Sequence, residues 1–136
     1  MPEAFAVTEL TTHPDERGNL FEILRFKDQH IPGEGYVYCV VIASGARRGD
    51  HYHERKSEWF TCVSGEALIL IEEADGVKHK LTLNAATPKV VFCGPGTAHA
   101  LLNQGTEPAV LISYGSKQFD PNDADTIRKV IEYEGV

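Results

Sequence analysis

The stretch GARRGDHYHERKSEWFTCVSG, residues 45–65, carries most of what this chain reveals about its architecture. Side chains alternate between the two faces of an extended strand, so His51 and His53 point the same way and Tyr52 turns to the other face. Glu58 opens the next apolar run, and a turn over residues 54–57 folds it back beside the two histidines. A fourth donor, His99, stands in GPGTAHALLN, residues 94–103, framed by Pro95, Gly96 and Asn103. Three imidazoles with one carboxylate suit a borderline divalent ion such as Zn, Mn, Fe, Ni or Co, and four protein ligands can leave a position open. The spacing predicts that His51, His53, Glu58 and His99 converge in the mouth of a small β-barrel and hold a divalent metal.

Short strand-like runs recur on either side, separated by turn signals, which is the pattern of an antiparallel sandwich or barrel. Strands are expected over residues 5–10, 20–25, 36–43, 50–53, 57–63, 67–73, 77–83, 89–93, 98–102 and 109–114. Asp75-Gly76, between two alternating runs, marks a hairpin. The tail changes character. From Asp123 to Tyr133, Ile127, Val130 and Ile131 fall at helical spacing with Asp125 near the start, which predicts a short amphipathic C-terminal helix packed on the outside.

At 136 residues the chain fits about one domain with room for a real core, and 42% hydrophobic residues is ordinary globular composition. No apolar run is long enough to span a bilayer, and the start MPEAFAVTEL lacks the layout of a secretory signal, so a cytoplasmic location is expected. Cys39, Cys62 and Cys93 make an odd number in apolar runs, the pattern of buried free thiols in a reducing compartment. A net charge of -7 argues against a nucleic-acid or anionic-membrane surface. It leaves room for a local basic cluster, drawn from Arg17, Arg25, Arg47 and Arg48, that grips an anionic small ligand.

The spacing of the four donors resembles the two cupin motifs, G-x5-H-x-H-x4-E-x6-G and P-x-G-x2-H-x3-N. The first is matched from Gly45 to Gly65; the second fits at Gly96, His99 and Asn103, with Gly94 in place of its leading proline. The resemblance implies an all-β, cupin-type double-stranded β-helix, a jelly-roll barrel filling residues 1–136 as a single domain. Asp15 to Glu22 is similar to the D-x-R-G-x-F-x-E strand of nucleotide-sugar 3,5-epimerases of the dTDP-4-dehydrorhamnose type, with Leu20 replacing the aromatic. That implies substrate-binding roles for Arg17 and Glu22, often reached across a dimer. Arg48-Gly49-Asp50-His51 is similar to the same family's R-G-x-H, which implies that His51 is the proton-abstracting base. Glu66 stands where those epimerases carry a pocket lysine, so that role has no obvious heir.

A glutamate at position 58 beside both histidines, the Pro95–His99 turn and the closing Phe119-Asp120-Pro121 resemble instead the C-terminal cupin domain of bifunctional capsular-polysaccharide enzymes that make UDP-N-acetyl-L-fucosamine. This resemblance implies C3 epimerisation of a 4-keto-6-deoxy sugar nucleotide (with C3/C5 as a variant), zinc as the metal and a homodimer.

The chemistry asks for a base on one face of the sugar and an acid on the other, with the enolate oxygen stabilised. Arg48 is the expected grip on the diphosphate. A histidine whose lone pair is spent on a metal cannot also be the base, so His51 carries two competing assignments. Tyr114, on the strand after His99, is the expected opposite-face acid, ahead of Tyr38 and of Lys56, which is expected in a solvated turn. The same donor set also suits a metal-dependent dioxygenase, or a non-catalytic carbohydrate-binding cupin.

Overall fold

The apolar alternation resolves into ten strands in the computed structural model, which describes residues 4–136. In chain order they are β1 (Phe5–Glu9), β2 (Tyr36–Ile42), β3 (Arg47–Tyr52), β4 (Glu58–Ser64), β5 (Glu66–Glu72), β6 (Lys78–Asn84), β7 (Lys89–Cys93), β8 (Ala98–Leu102), β9 (Ala109–Gly115) and β10 (Ile127–Arg128). They form two five-stranded antiparallel sheets, ordered β1-β7-β4-β9-β2 and β10-β3-β8-β5-β6. This is the all-β jelly roll that the resemblance to the cupin motifs implies.

The sheets face each other across a core to which Ile42, Phe60, Cys62, Ile69, Ile71, Leu83, Val91, Leu101 and Leu111 contribute. Each belongs to the inward set of its strand, so the period of two that marks the strands in the sequence also fills the core. Cys62 and Cys93 are buried free thiols as expected, whereas Cys39 is exposed on the outward side of β2.

Strand β3 departs from regular pairing in a way that matters for the site. Arg48 pairs with Leu101 and Gly49 with Ala100, but His51 rather than Asp50 faces His99. Asp50 is therefore the extra residue of a β-bulge, with φ of 58°, next to Gly49 at 89°. Gly49 is needed there twice over. Its φ lies where a side chain is strained, and a Cβ would stand 2.8 Å from the His99 carbonyl oxygen and 3.2 Å from Ala100 Cα.

Two expectations are overturned. Residues 20–25 form no strand: the segment from 10 to 35 is a mostly exposed excursion closed by isolated bridges at Thr12–Phe21 and Asp15–Gly18. Leu20 is 60% exposed. The expected C-terminal helix over residues 123–133 is also absent, and no helix occurs among the described residues. The tail is an extended strap whose β10 pairs Ile127 with Tyr52 and Arg128 with His51.

The edge of β3 explains that outcome. It offers backbone and Asp50 groups that bind the strap: Lys129 N donates to the Asp50 carbonyl at 2.8 Å and Ile131 N to Asp50 Oδ1 at 3.0 Å. Ile131, 1% exposed, joins Leu70, Ala98, Ala100 and Leu102 in a second apolar cluster on the outer face of that sheet. Full burial of one such side chain stabilises by about 1.5–3 kcal/mol, whereas a helix this short is marginal by itself.

Candidate metal centre

At the end of the barrel where β3, β4 and β8 come together, donor atoms of His51, His53, Glu58 and His99 all lie within 4.8 Å of one another. The bulge at Asp50 turns His51 inward, the next period of two brings in His53, and Tyr52 faces out onto the second cluster. Glu58 opens β4 opposite Cys93 and Gly115, and His99 sits in β8 opposite Ile71. His53, Glu58 and His99 are buried. The Phe60 ring, 4.9 Å from that of His99, provides an apolar floor.

The protonation pattern fits a cation. His53 Nδ1 lies 2.6 Å from the backbone carbonyl of Asp125, so it carries the proton and leaves the lone pair on Nε2. That Nε2 stands 2.7 Å from Glu58 Oε1, and neither atom has a hydrogen-bond partner. Two acceptors facing each other at this distance repel unless a positive charge lies between them. Glu58 is anionic: burial alone would raise its carboxyl, but the imidazoles of His53 and His99, which carry charge in acid, and the Tyr38 hydroxyl outweigh it and bring the pKa to about 2. Burial lowers the His99 imidazole to about 4 and also lowers His51, so both are neutral near pH 7 with a lone pair to give. Tetrahedral donors about 2.1 Å from an ion stand about 3.4 Å apart, so the widest pairs of this set, within 4.8 Å, would close and His53 Nε2 and Glu58 Oε1, at 2.7 Å, would open.

Around the donors stand groups that the sequence leaves in the background. The Tyr38 hydroxyl, inward on β2, donates to Glu58 Oε2. Burial and the Glu58 charge hold that phenol strongly protonated, which makes it a fixed donor. Lys56 is not in a solvated turn but 8% exposed, its Nζ 3.3 Å from the Tyr36 hydroxyl and 3.9 Å from Glu58 Oε2. Its stem and the Tyr36 ring occupy space that Gly115 leaves free: a Cβ there would come within 2.8 Å of the ring and 3.5 Å of Lys56 Cδ. The shared parity of Tyr36 and Tyr38 on one strand is the signal that could have marked the pair.

Tyr114 is not brought to the donors, which corrects its expected role. Ser113 and Leu111 take the inward positions of β9, so Tyr114 faces out of the barrel against Trp59 and Phe26. There its hydroxyl donates to the Pro32 carbonyl and accepts from Gly35 N at 3.0 Å, tying down the excursion.

Arg48 is exposed on β3, on the same side of the strand as Leu101, while Arg47 turns outward and pairs with Asp50 at 2.6 Å. Arg17 and Glu22 lie on the exposed excursion, where Arg17 pairs with Asp15 at 2.6 Å and Glu22 with Arg25 at 2.7 Å. They line surface hollows of about 410 and 440 Å³ that contain none of the four donors. Within one chain neither residue reaches the site.

Comparison with known proteins agrees with this fold. The family described as polysaccharide biosynthesis C-terminal domain matches residues 13–127. Over 127 residues the chain is 28% identical to a UDP-2-acetamido-2,6-beta-L-arabino-hexul-4-ose reductase of Pseudomonas aeruginosa, covering 93% of this chain and 33% of that protein. The capsular polysaccharide assembling protein CapF of Staphylococcus aureus superposes with a TM-score of 0.70 at 27% identity, over 90% of this chain and 34% of that one. The chain thus spans about a third of the length of both. ChmJ, a 3'-monoepimerase from Streptomyces bikiniensis solved with dTDP-quinovose, shares the fold with a TM-score of 0.81 at 23% identity, over 93% of this chain and 69% of its own.

Proposed function

The chain belongs to the polysaccharide biosynthesis C-terminal domain family, and on that footing we propose that it is a nucleotide-sugar epimerase acting at C3 of a 4-keto-6-deoxy sugar nucleotide. The observation that carries the reading is the meeting, at one end of the barrel, of a metal-type donor set with the buried ammonium of Lys56 and the phenol of Tyr36. The similar reductase and ChmJ support the substrate class, since the names of both specify a nucleotide-linked sugar.

The C3–H bond is acidic because it adjoins the C4 carbonyl. Removing that proton sends the bonding pair onto the carbonyl oxygen, and returning a proton to C3 from the other face gives the epimer with no net redox change. His51, His53, Glu58 and His99 would hold a divalent cation, zinc first among them, which supplies Lewis-acid stabilisation for that oxygen. A neutral imidazole has one free lone pair, so a ligating His51 does not take the proton. Tyr36, as a phenolate held by the Lys56 ammonium 3.3 Å away, would take the C3 proton, solvent at the mouth would return one to the other face, and Tyr38 keeps the Glu58 carboxylate in place. Arg48, at the rim, grips the diphosphate. In a homodimer, Arg17 and Glu22 of the partner subunit close the mouth that a single chain leaves open.

The test is solvent deuterium incorporation at C3 of UDP- and dTDP-linked 4-keto-6-deoxy sugars, followed by NMR with the zinc-loaded protein. Incorporation with one of them is expected. No exchange with either, together with oxygen consumption by the iron-loaded protein, would replace the epimerase with a dioxygenase.

A further inference from the structure

The C-terminal strap touches the metal-binding segment at almost every step. Arg47 Nη2 donates to the Ile131 carbonyl at 2.7 Å, and Asp50 receives Lys129 N and Ile131 N. β10 is zipped to His51 and Tyr52. Arg55 is paired with Asp123 at 2.6 Å.

Asp125 makes the densest contacts. Its Oδ1 accepts from Glu54 N at 2.8 Å and its Oδ2 from Arg55 N at 3.0 Å, capping the turn that leaves β3. Its backbone carbonyl lies 2.6 Å from His53 Nδ1. The residue has φ of 46°, a left-handed conformation that aspartate tolerates better than most side chains. That conformation aims carbonyl and carboxylate at the same short turn. One residue thus fixes both the backbone that carries His53 and the ring nitrogen that must bear the proton.

We propose that Asp125 is a positioning residue for the metal centre, and that the C-terminal strap is thereby part of the apparatus that sets cation affinity. The proposal rests on the metal-binding reading above. An imidazole bound through Nε2 needs Nδ1–H directed at an acceptor, and the strap supplies that acceptor from outside the barrel. Without the carboxylate clamp the 53–55 turn and the carbonyl separate, and His53 is free to adopt the other tautomer and other ring rotations.

The experiment compares wild type with Asp125→Gly, Asp125→Ala and Asp123→Ala. Glycine keeps the left-handed backbone and loses only the clamp, alanine adds backbone strain, and the Asp123 variant loosens the strap without touching His53. Zinc dissociation constants come from chelator competition on the metal-stripped proteins, and the His53 tautomer from ring 15N shifts of the same samples. Both Asp125 variants are expected to weaken zinc binding about 10- to 100-fold and to lose the Nδ1–H form. Asp123→Ala is expected to stay within about twofold of wild type. Zinc affinity within about twofold of wild type in Asp125→Gly, with His53 still in the Nδ1–H form, overturns the proposal. An Asp123→Ala loss equal to that of Asp125→Gly overturns it too, since strap looseness would then suffice. A wild-type protein that takes up no zinc would instead remove the metal reading itself.

Discussion

Nε2 of His53 stands 2.7 Å from Oε1 of Glu58, two buried polar atoms with no hydrogen-bond partner. The Asp125 carbonyl has already claimed the proton of the imidazole on its other nitrogen. This is an arrangement that a cation relaxes and that its removal strains.

Glu58→Gln follows from it. An amide donates to His53 Nε2 where a carboxylate repels it, so the metal-free variant is expected to be as stable as wild type or about 1 kcal/mol more so. The variant is also expected to lose the thermal shift that zinc gives the wild type. Melting curves with and without zinc decide, and a zinc-induced shift equal to that of wild type would contradict the assignment.

Acid weakens the fold through the same cluster. Burial lowers His99 to about 4 from 6.5, and His51 shifts the same way. Glu58 sits at about 2 rather than 4.5, the pull of burial being outweighed by its histidine neighbours. In every case the unfolded chain binds protons that the folded one refuses, so stability is present above the unfolded pKa values and is lost as pH falls. His99 alone removes about 3 kcal/mol as pH drops from 6.5 to about 4. Glu58 adds its share from 4.5 to about 2. Urea midpoints of the metal-free protein across this window should decline steadily, and a flat profile would refute the burial of these groups.

Lys56→Met keeps most of the apolar stem and removes the ammonium beside Tyr36. Zinc stoichiometry is expected to hold while C3 deuterium exchange slows by about 100-fold or more. Exchange at the wild-type rate would return the proton to another group.

Gly49→Ala forces a Cβ to within 2.8 Å of the His99 carbonyl oxygen at a φ of 89°. It should cost at least about 2 kcal/mol by urea unfolding and weaken zinc binding, because the strand carrying His99 must give way. Gly76→Ala has a similar φ of 93° but nothing within 4 Å, so it should cost about 1 kcal/mol and leave zinc binding alone. Equal losses in both would show that backbone strain, not the close approach to β8, dominates.

The convergence of the four candidate donors was legible in the sequence because alternation is a local rule: His51, Tyr52 and His53 need only be extended to sort themselves between faces. The tail was not. Ile127, Val130 and Ile131 satisfy a helical period, but Asp125, Ile127, Lys129, Ile131 and Tyr133 satisfy a period of two as well, and burial follows the second set. What chose between them was the open edge of β3, which no window of the tail contains. Tyr114 failed for a related reason. In the run AVLISYG both faces are apolar, here Leu111 inward and Val110 and Ile112 outward, so composition does not say which way the tyrosine turns. Lys56 is buried by Tyr36 and by the missing side chain of Gly115, residues far from it in the chain. Residues 20–25 have the apolar content of a strand, but there the chain finds only the isolated bridge of Phe21 to Thr12.

The single surplus residue at Asp50 has a consequence for how this site tolerates change. Ligand and solvent faces on β3 are kept by counting, and the count is reset once, just ahead of the first imidazole. Deleting Asp50 would remove only the surplus and leave His51 opposite His99, but would take away the carbonyl and the carboxylate that hold Lys129 N and Ile131 N. A chain that kept Asp50 but paired it regularly with His99 would instead turn Asp50 and Tyr52 to the cavity and both imidazoles to water.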